Sequence, residues 1–421
     1  MQDDHPSLET LARWLAGELP HEQVVRELAP HFLESCPVCR EMREEIDRLL
    51  VESGHWDEAV AVVETREAPE LLLLLGEGPH AERMRRAEEV EELHTWGVCQ
   101  LLLKKVREQV FSDPARAVET AHLAVRLAGH LGNTYHPDWI LELRARAFAY
   151  LGNARRVLGE LKAADDAFLL AEECLQASGT DNPRTDAEVL SLKASLRLDQ
   201  RRLEEAQDLV DRALDLSRKA GDRVSVAKGL LKKSKILNQR GDIAESIAIL
   251  QGASSEIDPA QEPVLYARAR QNLLFSLTLA GRYEDASRLL DELRAQPRIL
   301  AEPLDDLRLR WTEANIAQGL GQLAKAEQVY RAVQGEFLDL GNGLDTALVS
   351  LDLATLLWEQ GRTEELKQLA TEVLVVFESR EVHREAIAAL LLFQQACTED
   401  RVTAEMLRQI AAQLRRERTG S

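Results

Sequence analysis

Small and apolar residues recur along the chain in a pattern that predicts paired helices. Six segments begin at positions 159, 201, 241, 281, 321 and 361, and the last five starts are 40 residues apart. Each segment begins with glycine, except the one at Arg201, and most have an apolar residue two positions later. A small residue stands five positions after every start but the last. Spacing this regular indicates an internal repeat of stacked structural units.

The spacing fits a helical hairpin. Glycine at the end of the first helix can adopt the left-handed conformation that terminates a helix. The apolar residue then fills the space between the two helices, and the small residue lets the second helix approach closely. Two further columns support this interpretation: Gly152, Ala194, Ser234, Leu274, Ala314 and Ala354 seven residues before each start, and Ala171, Ala213, Ala253, Leu293, Val333 and Val373 twelve after it.

In order and offset, these columns resemble the small–Gly–aromatic–Ala pattern of the tetratricopeptide repeat. That repeat usually has a period of about 34 residues, so the longer period here implies longer helices or loops. The resemblance implies an all-α fold, a right-handed superhelical solenoid of tetratricopeptide-like hairpins. We expect a diverged helical repeat or linker over 51–111, the repeat array over 112–378, and capping helices over 379–421, because a solenoid must cover its last apolar face.

The resemblance also implies a binding groove, since the first helix of each tetratricopeptide pair lines a concave surface. Residues thirteen, nine and six positions before each start lie about a helical turn apart and are expected to face it. The candidate partner-binding residues at these positions are Lys228, Lys232, Lys235, Arg268, Asn272, Arg308 and Asn315. They resemble the carboxylate clamp of some tetratricopeptide domains, although Lys232 stands where the clamp commonly has asparagine. The alternative is a solvated basic face that balances nearby Asp and Glu.

Composition narrows the possible partners. The chain has 421 residues, of which 45% are hydrophobic and 5% aromatic, and Leu and Ala, good helix formers, supply much of the apolar content. Its formal net charge is -20, and an acidic surface repels phosphate backbones, so nucleic acid is not expected as a partner. No apolar run approaches the roughly 20 residues that a membrane span needs. The polar start MQDDHPSLET predicts no signal peptide, and we expect no membrane partner and a cytoplasmic location.

Residues 1–50 carry a second resemblance, centred on His31, Cys36 and Cys39. The stretch LARWLAGELPHEQVVRELAPHFLESCPVCREM resembles the zinc-binding N-terminal domain of bacterial anti-sigma factors, which implies a zinc site made by these three residues. Because a residue before proline avoids helical angles, Cys36 and Pro37 predict a helix corner at this point. A structural zinc site needs a fourth ligand, and neither His5 nor His21 has a convincing spacing. The alternatives are a metal-free remnant of that domain and, less favoured, a redox pair.

The sequence predicts a binding protein rather than an enzyme. The remaining histidines and carboxylates do not converge on a catalytic set, and there is no phosphate-binding glycine loop or nucleophile motif. The leading hypothesis is a non-enzymatic interaction or adaptor protein that binds a peptide or protein in its groove. One alternative is an anti-sigma-like regulator that sequesters a sigma factor through residues 1–50. Another is a peptide-sensing receptor built from the repeats.

Overall fold

A computed structural model describes residues 64, 68–132, 135–295, 303–378 and 393–397, together with 402, 403, 405–407, 409–411 and 414. His31, Cys36 and Cys39 lie outside these residues, as does the rest of the predicted anti-sigma-like domain. Within the described ranges every regular element is a helix, so the predicted all-α class is confirmed. The chain divides into two compact units, residues 1–196 and 197–421. The four predicted domain boundaries stay predictions.

In the first unit, two short 3-10 helices and six α-helices have both ends within the described residues. The 3-10 helices are Leu73–Leu75 and Glu91–Leu93; the α-helices are α1 (His80–Glu89), α2 (Trp96–Gln109), α3 (Pro114–His130), α4 (Pro137–Val157), α5 (Leu161–Ser178) and α6 (Pro183–Asp199), the last of which ends just past the unit boundary.

The second unit continues with helices in the same alternating order. They are α7 (Leu203–Lys219), α8 (Arg223–Arg240), α9 (Ile243–Glu256), α10 (Pro263–Leu279), α11 (Tyr283–Ala295), α12 (Pro303–Gly319), α13 (Leu323–Asp339), α14 (Gly343–Glu359) and α15 (Thr363–Glu378). Helices α8, α10, α12 and α14 are the first helices of their pairs, and each packs against the second helix that follows it.

The repeat signature forms the predicted hairpin turns. All six segment starts adopt the left-handed conformation, with φ between +63° at Arg201 and +91° at Gly241. The residue two positions later is the first residue of a second helix in all six repeats, including the polar Thr363. Among the described residues Arg201 is the only non-glycine with positive φ, a conformation that costs an ordinary residue about 1–2 kcal/mol.

The small-residue columns lie where the two helices of a pair meet. Ala164, Ala206, Ser246, Ala286 and Ala326 are all at 0% exposure. At Gly152 an added Cβ would come within 2.9 Å of the Phe168 ring, so only glycine lets these helices approach so closely. The hydrophobic core therefore runs between the paired helices, as the columns predict. None of the described helices has the length and hydrophobicity needed to cross a membrane.

Candidate functional site

Three first helices of the second unit lie side by side and carry the predicted groove residues. Helix α8 contacts α10, and α10 contacts α12. Because the repeat period is 40 residues, equivalent positions on these helices fall in rows that cross the helix axes. We call the surface formed by their exposed residues the first-helix face.

Helix α10 shows how narrow this face is on each helix. Its exposed residues Val264, Arg268, Phe275 and Leu279 fall within an arc of about 60°, at 100° per residue. The opposite sides of the helix are buried against its neighbours through Leu265, Ala267, Ala269, Leu273, Leu274 and Leu277. The arc is therefore the most exposed side of α10.

A row of basic residues crosses the first-helix face. Lys228, Arg268 and Arg308 occupy the same repeat position on α8, α10 and α12, and all three are exposed. Helix α8 contains six Lys or Arg residues and α10 contains two, and neither helix contains Asp or Glu. In a chain of net charge -20, this is a local concentration of positive charge.

Basic residues of these helices that lie outside the exposed arc form salt bridges with neighbouring helices. Lys233 Nζ lies 2.7 Å from Asp211 Oδ1 on α7, and Arg270 pairs with Glu292 on α11. Lys228, by contrast, forms no salt bridge with any residue that the structure describes, and the same holds for Arg268. Lys228 and Arg268 are thus two exposed cations that have no carboxylate partner among the described residues.

Two of the predicted clamp residues contact other parts of the protein. Arg308 Nη2 lies 3.1 Å from Oδ2 of Asp345, a carboxylate with a side chain only 1% exposed, while the Arg308 side chain itself is 46% exposed. Asn315 Oδ1 accepts a hydrogen bond of 2.6 Å from the hydroxyl of the buried Tyr330. Arg308 therefore presents only part of its guanidinium outward, and Asn315 is turned toward its own second helix.

The remaining predicted residues lie beside the basic row on the same face. Lys235 is exposed, and Lys232 and Asn272 are half-buried. Apolar side chains lie there too, with exposures of 47% for Val264, 39% for Phe275 and 44% for Leu279. Phe275 stands at a predicted groove position, six residues before Gly281. Val264 and Leu279 were not predicted, and the signal that could have identified them is the helical arc that they share with Arg268.

The first unit uses equivalent positions differently. Glu188 of α6 accepts hydrogen bonds from Arg146 Nε, at 2.8 Å, and from the Tyr150 hydroxyl, both on α4. Burial by itself would raise the pKa of Glu188, but the Arg146 charge and these hydrogen bonds outweigh burial and lower the pKa. Arg107 lies over the Tyr150 ring, 5.7 Å from its centroid. In the first unit, the carboxylate of Glu188 therefore occupies the repeat position at which the second unit has Lys228, Arg268 and Arg308.

No metal centre accompanies these features in the residues that the structure describes, where no group of three or more His, Cys, Asp or Glu side chains could hold a metal ion. The described cysteines Cys99, Cys174 and Cys397 are free and buried. Burial raises the pKa of all three thiols, so they are small core residues with little thiolate character.

Comparison with known proteins supports the fold. No family model and no curated protein matches the chain. A Rap protein solved with Competence and Sporulation Factor aligns with a TM-score of 0.53 and 12% identity, over 74% of this chain and 88% of that one. The apo form of RapI aligns with a TM-score of 0.51 and 13% identity, over 84% and 98%. The chain therefore has a tetratricopeptide-type helical-repeat fold.

Proposed function

We propose that the protein is a non-enzymatic binding protein that holds an acidic peptide, or an acidic segment of a partner protein, on the first-helix face of residues 197–421. The observation that carries this proposal is the exposed row formed by Lys228, Arg268 and Arg308. Two of these three cations have no carboxylate partner among the described residues, whereas cations on the flanks of the same helices are paired.

The electrostatics of α8 favour an anionic ligand. Helix α8 contains six Lys or Arg residues and no Asp or Glu, so the helix itself places no negative charge beside the exposed Lys228. An anion bound at Lys228 therefore gains favourable electrostatic energy. Arginine adds a planar guanidinium that can donate two parallel hydrogen bonds to one carboxylate. An acidic peptide thus gains more than one charge-assisted contact at the same time.

The apolar side chains on α10 favour a peptide over a small anion. Val264, Phe275 and Leu279 place apolar surface on both sides of Arg268 along the helix. Burying a large apolar side chain contributes about 1.5–3 kcal/mol, which a sulfate or phosphate ion cannot gain. One fold neighbour was solved with Competence and Sporulation Factor. At 12% identity that likeness concerns the fold, so the ligand class is argued from the residues of this chain.

A charge-reversal experiment tests the proposal. The probe is a fluorescein-labelled peptide of alternating aspartate and leucine, with fluorescence anisotropy as the readout. We expect the Lys228→Glu/Arg268→Glu double variant to weaken binding at least about 100-fold, which is about 2.8 kcal/mol. Raising the salt concentration should weaken binding to the unaltered protein, since at about 0.15 M charges are screened beyond about 8 Å.

Arg212→Glu supplies the matched control, because Arg212 is exposed on α7, the second helix of its pair. This variant changes the net charge in the same direction and should bind the peptide nearly as well as the unaltered protein. Equal binding by the double variant and the unaltered protein, or equal loss in the control, would contradict the proposal.

The function of residues 1–50 is a separate question. Sequestration of a sigma factor through this segment remains a hypothesis that rests on the resemblance to anti-sigma factors. It predicts close to one equivalent of zinc in the purified protein by elemental analysis, and loss of that zinc in Cys39→Ser. If the purified protein contained no zinc, the remaining interpretation would be a metal-free remnant of the anti-sigma domain.

A further inference from the structure

The basic row has a regular spacing that can be compared with the repeat lengths of peptide conformations. Lys228, Arg268 and Arg308 occupy equivalent positions on three helices that contact in order. Packed helices lie about 8–10 Å apart. The backbone positions of the row are therefore about 8–10 Å apart along a line that crosses the helices.

A second row lies one helical turn away on the same three helices. Val224, Val264 and Leu304 occupy the position four residues before each member of the basic row, at a rise of about 6 Å along each helix. Val264 is 47% exposed, and Val224 and Leu304 are half-buried, each with part of its side chain packed against the hydrophobic core. A ligand that follows the basic row thus has a parallel apolar row beside it.

The polyproline II conformation matches this spacing. It has three residues per turn and a rise of about 3.1 Å, so every third side chain points the same way at intervals of about 9.3 Å. In a β-strand, side chains on one face repeat at about 6.6 Å and then about 13 Å, which does not fit the row. An α-helix places residues i and i+7 about 10.5 Å apart, but its apolar stripe is at least about 100° wide. The row of Val224, Val264 and Leu304 is one residue wide on each helix, and the further exposed apolar residues Phe275 and Leu279 lie on α10 alone among the three helices.

From these observations we infer the pattern of the ligand: a segment in the polyproline II conformation with an acidic residue at every third position and apolar residues or proline between them. This inference rests on the proposed function and specifies its ligand. Carboxylates at i, i+3 and i+6 pair with Lys228, Arg268 and Arg308, in either chain direction. A second set of side chains, one position along, lies against the row formed by Val224, Val264 and Leu304. Arg308 contributes less than the other two cations, because Asp345 already binds its guanidinium.

The test compares two labelled peptides of identical composition, each with three aspartates in a background of proline and alanine. One has aspartate at every third position and the other has its three aspartates consecutive. Both carry the same charge and the same amidated end, so only the spacing differs. We expect the spaced peptide to bind at least about tenfold more tightly to the full-length protein, and Lys228→Glu/Arg268→Glu to remove the binding of both.

The possible outcomes separate the predicted spacing of the acidic residues from the proposed preference for an acidic ligand. Equal or tighter binding of the consecutive peptide, with both lost in the double variant, would overturn the spacing and leave the acidic-ligand proposal standing. Binding of neither peptide would overturn the spacing, and the aspartate–leucine probe would then decide the proposed function by itself. A third peptide, an amphipathic helix with aspartate at every seventh position, should bind more weakly than the spaced peptide; tighter binding would show that the occupant is a helix.

Discussion

Among single residues, Glu188 is the carboxylate of a half-buried polar cluster in the first unit, with 28% of its side chain exposed. It accepts from Arg146 and Tyr150, and the favourable interactions hold its pKa below the usual value. A carboxylate with a depressed folded pKa stabilises the fold above its unfolded pKa of about 4.3, and this stabilisation is lost as pH falls through the folded pKa. Glu188 is therefore one of the carboxylates that make the stability of the protein depend on pH.

We predict that Glu188→Gln lowers the free energy of unfolding by about 1–3 kcal/mol near neutral pH, since Arg146 then lacks its counter-charge. The difference between the unaltered protein and the variant should shrink as pH falls below about 4. Urea unfolding at the two pH values measures it. Glu173→Gln, at an exposed position on the adjacent helix α5, is the control and should change stability by less than about 0.5 kcal/mol. A loss of stability that stays the same at low pH would contradict the assignment of the effect to this charge.

Residue-scale pairing of this kind could be predicted only in part from the sequence. The repeat register places Arg146, Tyr150 and Glu188 on equivalent faces of neighbouring helices, so their proximity was foreseeable. Which of these side chains form hydrogen bonds with one another was not foreseeable, because this depends on the length of each side chain and on the distance between the helices. Arg308 illustrates this point, because its partner Asp345 lies outside the three sets of positions predicted to face the groove. Asp345 lies in the first turn of α14, where the N-cap residue Asn342 donates a hydrogen bond to the same carboxylate oxygen.

At the scale of elements, the helix ends are the feature that the sequence predicts best. Glycine at a fixed position every 40 residues identified the ends of the first helices, and the φ angles confirm it. Gly281, with φ of +70°, ends α10. An added Cβ there would meet only a Tyr283 ring carbon at 3.9 Å, an ordinary contact. A substitution at this position therefore tests backbone strain separately from packing.

We predict that Gly281→Ala lowers the free energy of unfolding by about 1 kcal/mol, because the strain of a left-handed alanine exceeds the entropy gained by removing glycine from the unfolded chain. Gly335→Ala is the matched control, since Gly335 is exposed inside α13 and an added Cβ would meet nothing within 4 Å. There alanine should raise stability by up to about 1 kcal/mol. Denaturant midpoints of the two variants should shift in opposite directions, and shifts of the same sign would contradict the role of Gly281 as a helix terminator.

At the scale of the whole molecule, the distribution of charge is more informative than its total. The net charge of -20 predicts poor affinity for nucleic acid but does not identify a partner. The concentration of basic residues on α8 and α10 is visible in the sequence, because neither helix contains Asp or Glu. Which of these cations form salt bridges, as Lys233 and Arg270 do, became known only from the side-chain positions.

Under the proposed function, outward-facing charge on the first-helix face selects an acidic ligand, and reversing the sign of that charge tests this selection. The measurement is the dissociation constant of two labelled peptides, one with aspartate at every third position and one with lysine in its place, against the unaltered protein and Lys228→Glu/Arg268→Glu. We predict that the unaltered protein prefers the aspartate peptide and that the double variant prefers the lysine peptide, with the ratio of the two constants changing by at least about 100-fold. A variant that keeps the preference of the unaltered protein would contradict the account, because the peptide would then be bound by a different surface.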